Sequence, residues 1–343
     1  MRSAFGQRFD VPEGYLNTAS IGLPPVAVGE AVAEAVRQWR VGTGRAHDFD
    51  EPVAVARAAF ARLVGFGVER VAIGPAVSAL VGLVASALPD GARVLVAEGD
   101  FTSVTFPFAV HSGRGLTVVE APLAEIPARA GDADLVAVSA VQSADGAVLD
   151  LAALRAATEG TRTRVLLDVT QAAGWLPLDV AWADAVVAAG YKWLLCPRGV
   201  AWMAVSDQLR GELVPLSAGW YAGEDPWAST YGLPAELAAD ARRLDTSPAW
   251  FCHVGAAAAL PWLAGLDLGE VRAHCVGLAN QLRAGLGLPP GESAITVVAA
   301  ADAIDRLTAA GVVASSRRGA ARLAFHLYNT QADVHHALQA LTR

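Results

Sequence analysis

The stretch Ala188-Ala189-Gly190-Tyr191-Lys192-Trp193-Leu194-Leu195-Cys196-Pro197-Arg198-Gly199 contains the one lysine of this 343-residue chain. Because the Lys+Arg total is 26, the other basic residues, 26 − 1 = 25, are arginine. A guanidinium stays protonated in proteins, so arginine cannot replace lysine where a site needs a deprotonatable amine. The apolar residues after Lys192, followed by Pro197 and Gly199, indicate a buried turn rather than an ordinary surface position. Lys192 is therefore a candidate for amine chemistry, and formation of a Schiff base is the first possibility.

The composition excludes several classes of protein. Hydrophobic residues make up 54% of the chain and charged residues 17%, which predicts a large core and no disorder. The net charge is −8 and the basic residues are scattered, so we expect no nucleic-acid partner. No apolar run is long enough to span a membrane, and the N-terminus lacks the apolar core of a signal peptide. The three irregularly spaced cysteines, Cys196, Cys252 and Cys275, predict reduced thiols in a cytoplasmic protein without a metal site.

Short apolar runs alternate with helical or loop segments, which predicts an α/β fold with a mostly parallel sheet covered on both faces. Helices are predicted at Val26–Arg40, Pro52–Val64 and Val77–Leu88. Strands are predicted at Val71–Ile73, Arg93–Ala97, Leu116–Val119, Leu135–Val138, Arg164–Leu167, Ala185–Val187, Ala294–Val298 and Arg322–His326.

The change of pattern along the chain predicts three parts. Residues 1–45 form an N-terminal arm and helix that pack with a small domain. Residues 46–255 form a large cofactor-binding domain, and residues 256–343 form the small C-terminal α/β domain.

A carboxylate and the lysine follow two neighbouring strands of the predicted sheet. Asp168 ends the run Val165-Leu166-Leu167 and opens Asp168-Val169-Thr170-Gln171-Ala172-Ala173-Gly174. Ligands bind at the carboxyl ends of the strands in open α/β sheets, although Asp168 alone is equally well read as a helix N-cap. Pyridoxal phosphate needs such a pair, because a lysine forms its Schiff base and an acid keeps its ring nitrogen protonated. The helix start at Gly74-Pro75-Ala76-Val77-Ser78 suits a phosphate.

The order of these motifs resembles the class V aminotransferases, a fold-type I group of pyridoxal-phosphate enzymes. This group includes cysteine desulfurases, isopenicillin N epimerase-like proteins and ergothioneine-forming C–S lyases. The resemblance runs from about Tyr15 to the C-terminus, and it is most specific at DVTQAAG, GYKWLLCPRG and ARLAFHLYNT. It implies the fold-type I transferase fold, a homodimer and a small amino-acid substrate.

The resemblance also implies roles for residues in the cofactor site. Lys192 forms the Schiff base, Asp168 pairs with the pyridinium nitrogen, Gln171 bonds the O3′ side of the ring, and Phe101 stacks on the ring. Ser78 and the backbone N–H groups of Ala76 and Val77 hold the phosphate. Tyr191 stands where many relatives have a phosphate-binding histidine, and Ser247 matches a hydroxyl that relatives lend to the partner subunit's phosphate.

The resemblance also implies which residues bind the substrate. Arg322 matches the arginine that grips the substrate α-carboxylate with its two-pronged group. Tyr15 and Asn17 match arm residues that approach the substrate.

Departures from the family pattern limit the reaction. Phe101 stands where many relatives have histidine, and phenylalanine cannot move a proton. Ala189 and Val77 replace a frequent Ser and Thr, so the phosphate site relies more on the backbone. A desulfurase needs a cysteine upstream of Arg322, and residues 311–319 contain none. Transamination, β-elimination and racemisation at the α-carbon stay open. So does a protein of another class, a non-catalytic descendant that binds the cofactor or a regulatory ligand.

Overall fold

A seven-stranded sheet lies at the centre of the computed structural model, which describes residues 1–233 and 236–342. Numbered along the chain, the strands of this sheet occur in the order β3-β9-β8-β7-β6-β4-β5. The strands are β1 (Arg2–Ala4), β2 (Gln7–Phe9), β3 (Val71–Gly74), β4 (Arg93–Ala97), β5 (Thr117–Ala121), β6 (Leu135–Ser139), β7 (Arg164–Asp168), β8 (Ala185–Ala189), β9 (Ala201–Val205), β10 (Ile295–Val298), β11 (Ser315–Arg317) and β12 (Ala320–Ala324).

The sheet is parallel from β5 through β4, β6 and β7 to β8, whereas β9 runs antiparallel to both β8 and β3. The connection from β8 to β9, residues 190–200, is too short to hold a crossover helix, so β9 returns antiparallel. Ser139 pairs in register with Asp168, and both lie at the carboxyl ends of their strands. The edge that carries Asp168 and Ala189 is therefore also where Lys192 emerges.

Helices cover both faces of this sheet. One apolar core includes residues of α2, α8 and one side of the strands, and a second includes residues of α3, α4 and the other side. The strands are buried on both faces, as their continuous apolar runs predict. The helices are α1 (Val26–Arg40), α2 (Asp50–Val64), α3 (Val77–Ala87), α4 (Thr102–Ala109), α5 (Ile126–Arg129), α6 (Leu151–Thr158), α7 (Asp207–Glu212), α8 (Trp250–Leu263), α9 (Leu268–Gly285), α10 (Ala303–Ala309) and α11 (Gln331–Thr342).

A third apolar core lies around the small antiparallel sheet β10-β12-β11 and the helices α9, α10 and α11. The N-terminal arm joins this core through Leu16. Arg2 forms an ion pair with the buried Asp333 at 2.6 Å, and Asn17 pairs with Ala324 at the edge of β12. These contacts agree with an arm that packs on the C-terminal part. The three-part division itself stays a prediction, and its last residue, 343, lies outside the described residues.

Most of the predicted elements are confirmed within one or two residues, and α1 has the bounds that its pattern predicts. One strand prediction is wrong in its bounds: β12 ends at Ala324, so His326 lies two residues beyond it. The hairpin of β1 and β2 was not predicted, and neither was β9.

Within the described residues, no single helix is long and apolar enough to cross a membrane. Two consecutive helices reach the required length and apolar composition only when they are taken together, and they are bent by 95° relative to each other: Trp250–Leu263 and Leu268–Gly285.

Candidate active site

A cavity of about 200 Å³ opens at the carboxyl edge of the large sheet. Eight of the predicted site residues line it: Ala76, Val77, Ser78, Phe101, Asp168, Gln171, Tyr191 and Lys192. The residues that line the cavity come from the ends of β3, β4, β6, β7 and β8 and from the turns that follow them. The cavity therefore forms where ligands are expected in an open α/β sheet.

The turn that carries Lys192 is fixed by backbone contacts from both ends of the chain. The N–H of Gly22, in the arm, donates to the carbonyl of Tyr191 at 2.9 Å. A Cβ on Gly22 would lie 1.9 Å from the carbonyl oxygen of Lys192, so only glycine allows this approach. On the C-terminal side, Nε2 of His326 lies 3.0 Å from the carbonyl oxygen of Trp193. Arm, turn and C-terminal segment thus hold the lysine together.

Lys192 is a buried residue, with only 5% of it exposed. Burial lowers its pKa to about 8. The charge of Asp168 opposes this change, whereas Arg322, Arg317 and Arg198 add to it. A pKa of about 8 leaves about one amine in ten neutral at pH 7, and the neutral amine is the form that acts as a nucleophile or general base.

Asp168 is 4% exposed at the end of β7. Burial raises the pKa of its carboxyl to about 6, although the N–H of Thr170, which donates to Oδ1 at 2.8 Å, and the charge of Lys192 both lower it. The hydroxyl of Thr170 in turn accepts the N–H of Ala189 at 3.0 Å, which ties β7 to the end of β8. A buried carboxylate with this much desolvation is stabilised by a cation placed against it.

The N-terminus of α3 faces the cavity without a side-chain cap. Ala76 is the N-cap residue and has no side-chain acceptor for the first N–H groups of the helix. Such a terminus binds anions through its free N–H groups and the helix dipole. Arg198 also lines the cavity, and its guanidinium carbon lies 5.3 Å from the ring centre of Tyr191. Backbone N–H groups, the hydroxyl of Ser78 and the cation of Arg198 thus make this end of the cavity suited to an anion.

Ser247 lies outside this cavity. It lines a small neighbouring cavity together with Pro75 and Gly199, and it is exposed in the single chain. A single chain does not test the predicted contact between Ser247 and a partner subunit's phosphate, so this contact stays a prediction.

Phe101 is held at the cavity wall by a buried network that the sequence interpretation missed. The carboxylate of Asp100 accepts the N–H of Phe101 at 2.6 Å, and the N–H and hydroxyl of Ser139 at 2.8 and 2.5 Å. The Lys192 amine lies 5.0 Å from the ring centre of Phe101. The available signals were an acidic residue three positions after the end of β4 and a serine at the end of β6, because strand ends at this edge meet in one place.

Gln171 lines the cavity with its amide already engaged. Its Nε2 donates to the carbonyl of Ala19 at 2.9 Å and to Oγ of Ser143 at 3.1 Å, and its Oε1 accepts the indole N–H of Trp193 at 2.7 Å. In this arrangement the side chain links the arm, the turn after β6 and the lysine turn.

Arg322 does not line the cavity directly, and only 1% of it is exposed. Three serines hold its guanidinium: Nη1 donates to the carbonyl and hydroxyl of Ser143, Nη2 donates to Ser20 at 2.8 Å, and Nε donates to Ser315 at 3.2 Å. Burial and the charge of Arg317 lower the pKa of Arg322 to about 10. Because Ser143 lines the cavity, the arginine stands one side chain behind its wall.

Tyr15 and Asn17, the two predicted arm residues, also lie away from the cavity wall. The hydroxyl of Tyr15 donates to the carbonyl of Ile21 at 2.7 Å, which bends the arm toward the lysine turn. Oδ1 of Asn17 is buried without a hydrogen-bond donor among the described residues.

The described residues fit pyridoxal phosphate. Lys192 provides an amine of lowered pKa, Asp168 a buried carboxylate that lacks a strong cation partner, Phe101 an aromatic face, and the uncapped α3 terminus an anion site. These groups share one cavity, so a single ligand with an aldehyde, a basic ring nitrogen and a phosphate would satisfy all of them.

Comparison with known proteins agrees with this geometry. A family model described as aminotransferase class V matches residues 83–309. An uncharacterized aminotransferase of Bacillus subtilis, YcbU, is 31% identical over an alignment of 314 residues, and the alignment covers 85% of this chain and 83% of that protein. Isopenicillin N epimerase of Streptomyces clavuligerus is 28% identical over an alignment of 277 residues, and the alignment covers 70% of this chain and 66% of that protein.

Solved structures show the same fold. The complex between the cystine C-S lyase C-DES and its reaction product cysteine persulfide matches with a TM-score of 0.86 at 20% sequence identity. The match covers 96% of this chain and 97% of that chain.

Proposed function

The chain belongs to the class V aminotransferase family of pyridoxal-phosphate enzymes, and on this premise we propose that it is an aminotransferase acting on an α-amino acid. The observation that carries the proposal is the position of Lys192, the one side-chain amine of the chain, buried in the cavity opposite Asp168 with a pKa of about 8.

Lys192 and Asp168 divide the chemistry between them. Bound pyridoxal phosphate supplies an aldehyde that condenses with amines and a ring that withdraws electrons from the α-carbon. Lys192 would hold the aldehyde, and its amine, once free and neutral, would accept the proton from Cα and deliver it to the former aldehyde carbon of the cofactor. Asp168 would hold the proton on the ring nitrogen, since burial makes its carboxylate favour a cation. The α3 terminus, Ser78 and Arg198 would bind the phosphate.

The surroundings of Lys192 favour proton transfer by one group. Phe101 forms part of the cavity wall and carries no transferable proton, so a second base opposite the amine is not provided at this position. Two-base racemisation therefore has less support than transamination, in which one amine can take the proton from one carbon and give it to another.

A second candidate is β-elimination, the reaction of a C–S lyase. Tyr191 favours it, because its ring centre lies 5.7 Å from the Lys192 amine and its hydroxyl can protonate a leaving sulfur. Persulfide transfer, which needs a reactive thiolate, is not supported by the two buried cysteines. Cys196 and Cys275 are fully buried, and burial raises the pKa of both thiols far above the usual range.

The experiment combines trapping with a product screen. Borohydride reduction of the holoprotein should fix the cofactor to the chain, and peptide mapping should place it on Lys192. Amino acids and cysteine conjugates are then supplied with an α-keto acid. New amino product supports the aminotransferase, whereas pyruvate with ammonia supports the lyase. A cofactor that is trapped while no amino acid changes its absorbance would support a non-catalytic binding protein instead.

We also propose that the protein works as a homodimer in the cytoplasm. The exposed Ser247 near the α3 terminus supports a phosphate site completed across an interface. Three unpaired cysteines support a reducing compartment. A monomeric mass in solution that retains full cofactor affinity would contradict the dimer.

A further inference from the structure

The hairpin of β11 and β12 places two arginines on one face. Ser315 pairs with Arg322, and Arg317 pairs with Ala320, so Arg317 is the diagonal neighbour of Arg322. Side chains alternate along a strand, which puts Ser315, Arg317 and Arg322 on the same side. Like charges on neighbouring strands repel each other, so this arrangement is unfavourable unless an anion lies near it.

The two guanidinium groups meet at one neutral oxygen. Nη2 of Arg322 donates to Oγ of Ser20 at 2.8 Å, and Nη2 of Arg317 reaches the same oxygen at 3.3 Å. Among residues 1–233 and 236–342, neither arginine has a carboxylate within 4.0 Å, although many arginines of this chain do. The charge of Arg317 disfavours the protonated forms of two neighbours, because it lowers the pKa of Arg322 and the pKa of Lys192.

The turn of the hairpin is fixed against the large sheet. Arg318 has φ = 50° and Gly319 has φ = 80°, the combination of a tight two-residue hairpin turn. Nη2 of Arg318 donates to the carbonyl of Gly99 at 3.1 Å, and a Cβ on Gly99 would lie 1.4 Å from that nitrogen. Gly99 lies two residues before Phe101 of the cavity wall. The turn next to Arg317 is thus held beside the cavity, while the Arg317 side chain itself is exposed.

The cations of the site exceed the anions of the ligands assigned to it. Under the proposed function, the phosphate is taken by the α3 terminus and Arg198, and the ring nitrogen pairs with Asp168. The substrate α-carboxylate would fall to Arg322, where it would replace Ser143 of the cavity wall as the acceptor for Nη1. Arg317 is left with no anionic partner, at a position next to Arg322. A second negative group on the substrate would fill this role.

We propose that Arg317 is a specificity-determining residue and that the substrate is an acidic amino acid, with the side-chain carboxylate on Arg317 and the α-carboxylate on Arg322. This inference rests on the proposed function, because it requires an amino acid at Lys192. The hydroxyl of Ser20 lies between the two guanidinium groups and accepts from both, and its single hydrogen would be donated to one of the two carboxylates.

The test uses holoenzyme and matched pairs of amino acids that differ only in charge: aspartate against asparagine, and glutamate against glutamine. The first half-reaction is followed by the change in cofactor absorbance, which gives kcat/KM for each amino acid. In at least one pair, the acid should exceed its amide by about tenfold or more. Arg317→Gln should lower kcat/KM for that acid by about tenfold or more and change the value for the amide by less than about twofold.

Two further variants control for charge. Arg317→Lys retains the charge and should keep part of the preference for the acid. Arg162→Gln removes an exposed charge that precedes β7 at the opposite edge of the sheet, and should leave both values unchanged. Equal losses for acid and amide in Arg317→Gln would overturn the inference, since Arg317 would then contact the α-carboxylate. A holoenzyme that prefers neutral amino acids also overturns it and leaves the proposed function intact. A holoenzyme that reacts with no amino acid refutes both.

Discussion

Replacing Lys192 by methionine should make the cofactor-free protein more stable. Methionine has nearly the same length and volume but no charge, so the substitution removes the desolvated amine and leaves the packing almost unchanged. The folded protein holds this amine with only 5% of the residue exposed, and burial lowers its pKa from 10.5 to about 8. A lowered lysine pKa means that the folded state binds the proton less tightly than the unfolded state.

The size of the effect follows from that difference in pKa. One pKa unit corresponds to about 1.4 kcal/mol, so below pH 8 the charged Lys192 reduces the free energy of unfolding by about 3 kcal/mol. Between pH 8 and 10.5 the unfolded chain still binds the proton and the folded chain has lost it, so stability increases with pH in this window. Above about pH 10.5 both states are neutral and the penalty disappears. The advantage of Lys192→Met should therefore be about 3 kcal/mol at pH 7 and near zero above pH 10.5.

Urea unfolding of the two apoproteins at a series of pH values measures this difference, because titrating groups other than Asp168, whose pKa the charge of Lys192 lowers, contribute equally to both proteins. Asp168→Asn serves as the contrast. The pKa of Asp168 is raised from 3.8 to about 6, so the folded state loses stability as pH increases through this range. The stability of Asp168→Asn should therefore differ from that of the parent protein in its pH dependence mainly between pH 3.8 and 6. An advantage of Lys192→Met that does not change between pH 7 and 10.5 would refute the assignment of the penalty to the buried amine.

Three further substitutions test separate parts of the site. Asp168→Asn should retain the cofactor and lower turnover by about 100-fold or more, because an amide cannot hold the ring proton; an unchanged rate in steady-state kinetics would reduce Asp168 to a structural residue. Arg322→Lys should raise KM for the amino acid about tenfold or more and change cofactor affinity by less than about threefold, since an ammonium cannot replace a guanidinium held by three serines. Gly22→Ala should lower the melting temperature and the cofactor affinity, because its Cβ would lie 1.9 Å from the Lys192 carbonyl oxygen. Gly29→Ala is the control: Gly29 is exposed in α1 and its Cβ would have no atom within 4 Å, so this substitution should stabilise the protein by about 0.5–1 kcal/mol.

The sheet could be predicted from the sequence because its strands are buried on both faces. A run such as Arg93–Ala97 is short, apolar and bounded by Gly and Pro, and β4 has these bounds. The parallel order follows from the helices between the runs. The strand β9 gave no separate signal, because Ala201–Val205 follows the lysine turn without a helix and contains Trp202 and Met203 among small residues. Its antiparallel return depends on the length of a connection, which a periodic pattern does not report.

The cavity could be predicted only in part, for a similar physical reason. Lys192 and Asp168 follow strand ends, and strand ends at one edge of a parallel sheet are brought together by the topology itself. Ser143, Ser20 and Ser315 come from three distant places in the chain and meet only around the guanidinium of Arg322. Nothing in a serine's neighbours along the sequence indicates such a contact. The sequence could therefore identify the arginine but not the three serines that hold it behind the cavity wall.

The arm residues 19–22 explain how these distant parts act as one site. The carbonyl of Ala19 accepts from Gln171 in the cavity, and the hydroxyl of Ser20 accepts from Arg322 on the small sheet. Two residues later, Gly22 bonds the backbone of the lysine turn. Gln171, Arg322 and the turn of Lys192 therefore all contact the same four residues of the arm. Tyr15, predicted to approach the substrate, instead bonds the carbonyl of Ile21, which lies within this segment. Through this bond Tyr15 fixes the arm, and a shift of residues 19–22 would displace Gln171, Arg322 and the Lys192 turn together.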